Sequence, residues 1–137
     1  MKISLNTPCP CHSGEKYKKC CSPYHKGILP SNALKLMRSR YSAYALHLAG
    51  YIIETTHPDN PDYTQKSETW GEAILDFCRN TRFTGLKIVD FIDGEGEAYV
   101  TFEAMLDKGS LKEKSRFLKK GGKWLYESGE FIDTDPC

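Results

Sequence analysis

Cys9 to Cys21, CPCHSGEKYKKCC, hold four of the six cysteines in a chain of 137 residues. Thiols gathered this closely suit a disulfide cluster, a redox centre or a metal site. Adjacent cysteines such as Cys20 and Cys21 rarely bond one another without backbone strain. The first pair is C-x-C, not the C-x-x-C that opens a redox helix. A metal site fits the spacing better, because structural zinc takes four soft or borderline ligands in a tetrahedron. Cys9 and Cys11 offer two sulfurs from one tight knuckle stiffened by Pro10. His12-Ser13-Gly14 is turn chemistry, in which glycine takes positive φ and serine bonds the local backbone. Glu15 to Lys19 then reads as a short helical turn returning Cys20 and Cys21 to the knuckle, with Pro23 as its stop. So little of the segment is apolar that metal would supply most of its folding free energy. The expected ligands are Cys9, Cys11, Cys20 and Cys21, and the expected ion is Zn2+; iron also suits four thiolates. His12 is expected to be an exposed turn residue outside the ligand set.

A second group of chemistry-bearing residues lies further along: Arg38, Arg40, Tyr41, His57, Glu113 and Arg116. Inside an apolar pocket such groups could do acid–base work. Each also has a structural reading. His57 precedes Pro58 and suits a helix end that bonds backbone. Glu113 and Arg116 sit in a lysine-rich stretch and suit cross-strand pairing. Tyr41 and Tyr44 suit a core. Arg38 and Arg40 lie about 200° apart on an ideal helix, so at most one faces inward. No nucleophile with its base, and no acid–base pair, is legible.

The elements that must position these residues follow from periodicity. Ser22 to Asn32 reads as a linker. Ser31 is the expected cap of a helix over 33–49, with Leu34, Met37, Tyr41, Tyr44, Ala45 and Leu48 at helical spacing. Gly50 interrupts that pattern, and 51–57 reads as a short second helix ending before Pro58. A third is expected over 67–80, capped by Ser67 or Thr69, with Trp70, Ile74, Phe77 and Cys78 on one side. The period then changes to that of strands over 83–93, 97–106, 111–120 and 123–131, joined by glycine turns. Ala98, Val100, Phe102, Ala104 and Leu106 share one face. Phe102, Ala104 and Phe117 either line a pocket or fill a core. Helices followed by an antiparallel meander define an α+β domain. The expected division is 1–29 for the cysteine motif and linker and 30–137 for the α+β body. The linker offers few apolar contacts, so the body is expected to fold without the motif. Lys and Arg total 19 against 18 Asp and Glu, a net charge of +1, which does not mark a nucleic-acid binder. No apolar run approaches the ~18 residues of a membrane span, and no signal-peptide pattern opens the sequence. A cytoplasmic setting with reduced thiols is the expectation.

Cys9, Cys11, Ser13, Gly14, Cys20 and Cys21 resemble the SEC-C motif, the zinc-binding tail of the bacterial preprotein translocase ATPase. The whole chain resembles the bacterial YchJ family through LMRSRYSAY (36–44), THP (56–58), Trp70, KEKSRF (112–117) and GKWLY (122–126). That resemblance implies a SEC-C knuckle joined to a nuclear-transport-factor-two-like cone of three helices and a four-stranded antiparallel meander. Thr56 stands where relatives often carry Trp, and Lys112 where they often carry His. The final TDPC, ending at Cys137, resembles the start of a second SEC-C motif. The implied function is a zinc-binding adaptor or protein-interaction module. Lys16, Lys18 and Lys19 beside the metal suit an acidic protein partner. The alternative is a small-molecule-binding or lyase/isomerase-type enzyme using the cone pocket. Nucleic-acid binding through the knuckle and Tyr17 is a weaker third class.

Overall fold

The computed structural model describes residues 4–132. A 3-10 turn at Tyr17–Lys19 leads into α1 (Ser22–His25), α2 (Ala33–Ala45), α3 (Ala49–Glu54) and α4 (Ser67–Arg79). Strands β1 (Phe83–Ile92), β2 (Glu97–Leu106), β3 (Gly109–Lys120) and β4 (Lys123–Phe131) form one antiparallel sheet in that order. The expected α+β class and strand order hold. Cys137 lies outside the described residues.

Local chemistry moves several helix boundaries. Asn32, not Ser31, caps α2: its side chain accepts the Lys35 N–H at 2.9 Å, satisfying a first-turn donor. The helix stops at Ala45, and His47 turns the chain with φ 62°, so α3 begins at Ala49 with Gly50 inside it. At the other end neither Ser67 nor Thr69 caps α4; Lys66 holds that position without a side-chain bond. The expected linker contains α1, and Pro23 opens that helix instead of ending the turn before it. A first-turn N–H has no intrahelical acceptor, so proline loses nothing there.

The largest difference is at Thr55 to His57. These residues leave the helix and run beside β4, with Thr56 bridged in parallel to Tyr126. The Tyr126 N–H donates to the Thr55 carbonyl at 2.9 Å, and the His57 N–H to the Tyr126 carbonyl at 2.8 Å. Thr55 caps α3 with ψ 11°, and β-branched Thr56 followed by the pre-proline His57 favours the extended path beyond it, which also covers part of an exposed sheet edge.

The sheet curves because its ladders slip. Register shifts occur between Phe83 and Gly85, between Ile88 and Asp90, and between Arg116 and Phe117. Such irregularities bend a strand and increase its twist. Ala98, Val100, Ala104 and Phe117 on the concave face are buried with Leu36, Met37, Tyr41 and Ala43 of α2. Cys9, Cys11, Tyr17 and Cys21 belong to the same buried cluster. The expectation that the body folds alone rests on a linker with few apolar contacts; here the motif itself shares the body's core, since α2 packs the sheet on one side and the motif on the other.

Candidate metal centre and cone cavity

A short hairpin builds the knuckle. The Cys9 N–H donates to the Glu15 carbonyl at 2.8 Å, the Tyr17 N–H to Thr7 at 2.8 Å and the His12 N–H to Cys9 at 3.0 Å. His12 and Gly14 take φ of 61° and 91°, which closes the turn. Cys20 follows the 3-10 turn and Cys21 immediately precedes α1. All four Sγ atoms lie within 4.8 Å of one another. Cys11 to Cys20 is 3.5 Å and Cys20 to Cys21 is 3.9 Å. A zinc–sulfur bond of about 2.3 Å implies tetrahedral sulfur–sulfur edges of roughly 3.8 Å, so this all-sulfur donor set fits one such ion. His12 is exposed, outside the set, with its ring edge-on to Tyr41.

The four thiols perturb one another. Cys11 is held far below the ordinary thiol range, first by the Cys21 hydrogen bond and then by Cys9. Cys21 is pushed up, chiefly as the partner of Cys11 and Cys9. Burial, foremost, pushes Cys20 up to about 11. One thiolate forms readily and the next are opposed by it, so a divalent cation would displace protons as it relieved the repulsion.

Side chains around the sulfurs come from both the motif and the body. Ser13 Oγ accepts the Glu15 N–H at 3.2 Å, leaving its proton for Cys20 Sγ at 3.1 Å. Ser42, fully buried on α2, places Oγ 3.4 Å from Cys9 Sγ. Arg38 donates through Nη1 to the Cys11 carbonyl at 3.1 Å, with Cys11 Sγ at 3.9 Å. Such neighbours orient ligands and offset the charge of thiolates. Nothing in the sequence marks Ser42 as part of the site, and Arg38 reads there only as a pocket candidate.

His25 ties the motif to the body. Its Nε2–H donates to the Ser39 carbonyl at 2.8 Å, so Nδ1 is the acceptor for the Tyr17 hydroxyl at 2.6 Å. Ser39 Oγ donates to Leu36 and accepts from the Tyr51 hydroxyl at 2.7 Å. Burial, foremost, lowers the His25 pKa from its ordinary value, with the Ser39 bond and Cys11 opposing. A depressed histidine pKa means the unfolded chain binds more protons, so this contribution is complete above about pH 6.5 and declines as pH falls from there through the folded value. Ring-carbon NMR titration of the metal-loaded protein is expected to give His25 a midpoint below about 6.5. A midpoint above that value would contradict the neutral-acceptor arrangement.

The second candidate group separates in space. Tyr41, Arg40 and Glu113 line a cavity of about 320 Å³ on the concave side of the sheet, with Phe102, Ala104 and Phe117 in its wall. His57 is not among them: its Nδ1 accepts the Asp59 N–H at 3.0 Å, a loop-closing role. Tyr41 donates to the Gly85 carbonyl at 2.8 Å as a core residue. Arg116 is a half-buried cross-strand residue, bonded to Glu97 at 2.6 Å and Glu127 at 3.3 Å. Among the described residues Glu113 pairs with no lysine. Its Oε2 accepts the Ser115 hydroxyl at 2.5 Å and the Tyr126 hydroxyl at 3.0 Å. Gly129 on β4 leaves room for this carboxylate, because a Cβ there would overlap it.

A cysteine-cluster motif set against a curved-sheet cone defines a SEC-C protein of the NTF2-like fold class. Residues 6–23 match the SEC-C motif and residues 32–129 match the YchJ middle NTF2-like domain. The chain belongs to this YchJ-like family. A UPF0225 protein of Streptomyces coelicolor is 41% identical over 130 residues, covering 92% of this chain and 97% of the relative. Another from Pectobacterium carotovorum is 35% identical over 147 residues, covering 97% and 91%. The solution structure of a SEC-C motif containing protein from Rhodopseudomonas palustris superposes with a TM-score of 0.78 at 30% identity, covering 93% of this chain and all (100%) of that one. A crystal structure of a SEC-C motif containing protein from Psychrobacter arcticus gives 0.76 at 27% identity, covering 96% and 86%. Among the described residues no helix is long and apolar enough to cross a membrane.

Proposed function

We propose that Cys9, Cys11, Cys20 and Cys21 hold one zinc ion and that the knuckle so stabilised is a protein-docking element carried by the cone. The observation that supports this reading is the convergence of four sulfurs within 4.8 Å, with no other donor type in the cluster among the described residues. Zinc would supply structural cross-linking at four coordinated thiolates, and Ser13, Ser42 and Arg38 would hold those sulfurs in place. Metal analysis of gently purified protein is expected to return one zinc per chain; fewer than about 0.5 equivalents would contradict it, since structural zinc binds tightly. Iron would appear in the same measurement as the competing occupant.

The docking reading rests on charge. Lys16, Lys18 and Lys19 are exposed beside the cluster. Four thiolates around one Zn2+ carry a formal charge of about −2, so these lysines either offset the metal site or meet an acidic protein. Changing all three to glutamine separates the roles. The expected result is unchanged zinc stoichiometry, with partner capture weakened and much of its salt dependence lost. Lost zinc would assign the lysines to the metal; unchanged capture would assign them to solvation. The partner itself is sought by pulldown with wild type against the triple lysine-to-glutamine variant, which keeps all four cysteines.

A further inference from the structure

Arg40 is 7% exposed, yet no carboxylate among the described residues pairs with it. Its Nη1 donates to the Ile52 carbonyl at 3.1 Å, Thr55 Oγ1 at 2.8 Å and Thr56 Oγ1 at 3.2 Å. Nε and Nη2 bond nothing among the described residues, and no fully buried side-chain nitrogen or oxygen there lacks a partner. The free edge of the guanidinium is therefore not fully sealed from solvent, and Arg40 is one of the residues that line the cavity. An unpaired cation in such a setting is costly. The Tyr126 ring offsets part of that cost, with Arg40 Cζ 4.7 Å from its centroid.

The rest of the cavity sets what a ligand must look like. Its walls are largely aromatic and aliphatic, including Tyr44, Phe83, Phe102, Leu111 and Phe117. A volume of about 320 Å³ is at the small end of ligand sites, which run from roughly 300 to 1,000 Å³. Glu113 is the other charge, and the Tyr126 side chain links the two: Arg40 lies over its ring and its hydroxyl donates to Glu113. Glu113 would repel a second negative group. A guanidinium edge with free donors matches a planar carboxylate through two parallel bonds.

We propose that the cone binds a small monocarboxylic acid with an apolar body, its carboxylate seated on Arg40 and its body held between the Phe and Tyr rings. This goes beyond the reading of the knuckle and is independent of it. The test is an NMR titration of the metal-loaded full chain with phenylbutyrate, phenylbutanol and phenylbutylamine, which share one body and differ in head group. The acid is expected to bind about tenfold or more tighter than the alcohol, with shifts at Tyr44, Phe102 and Phe117 and the amine weakest. Arg40→Lys keeps the charge but loses the fork, and is expected to reduce acid affinity to that of the alcohol. Because Arg40 also ties down the end of α3, Phe102→Trp provides a second variant; it fills the cavity and is expected to weaken acid and alcohol alike. Equal affinity for acid and alcohol, preference for the amine, shifts confined to other surfaces, or no shifts with any probe would each overturn the proposal.

Discussion

Replacing Cys20 and Cys21 with serine is expected to abolish zinc loading and to lower the melting temperature of the whole chain in a single transition. Zinc affinity in small cysteine modules is folding free energy, of the order of 10–16 kcal/mol in finger peptides. Here the loss would not stay in the knuckle. Cys21 is 1% exposed and shares a buried cluster with Leu36, Met37 and Ile52. Without metal, Cys9 and Cys11 would remain buried with too few ligands, and the hairpin carrying Tyr17 would lose its anchor against His25. A destabilisation above about 4 kcal/mol places this among the large mutational effects. For a chain of this size it corresponds to a fall in melting temperature of more than roughly 10 °C. Calorimetry with parallel metal analysis checks both quantities. Zinc lost with an unchanged melt would show that the knuckle and cone are thermodynamically separate.

Removing residues 1–29 is expected to cost the body its cooperative unfolding, the reverse of what the linker composition implies. The truncation strips three attachments from α2: His25 on the Ser39 carbonyl, Cys11 on Arg38 and Cys9 on Ser42. Ser39 and Ser42 are each 0% exposed in the full chain. Their surroundings would become a wet, poorly complementary helix face, and the Tyr51–Ser39 bond would lose its support. The expected cost is more than about 3 kcal/mol, with a broadened transition and a reduced denaturant slope. Urea unfolding followed by both fluorescence and circular dichroism measures it. A sharp transition with a midpoint near that of the intact chain would establish an autonomous cone.

Both results depend on features of different legibility. The four cysteines announced themselves, because a knuckle, a turn and a returning pair lie within thirteen residues, Cys9 to Cys21, and clustering over so short a span is local. The order of helices and strands was equally local, carried by a period of 3.6 changing to 2 after Arg82. The shared face of Phe102 and Ala104 followed from alternation alone, and both now line the cavity. That Arg38 and Arg40 point to opposite sides followed from helix geometry.

What each side meets did not. Thr56 reads as a helix end until Tyr126, seventy positions later, provides a strand to bridge. Ser42 and His25 carry no local signal of their roles, because their partners Cys9 and Ser39 lie in separate elements. Whether Phe102, Ala104 and Phe117 would fill a core or enclose a space turned on the slips in the strand register that curve the sheet. By itself the sequence determined the cysteine cluster, the element order and the two faces of α2, since each depends on spacings within a few residues. Only the tertiary structure decided that one face of α2 supports the sulfurs while the other puts Arg40 in the wall of the cavity, because long-range packing chooses the partners of each face.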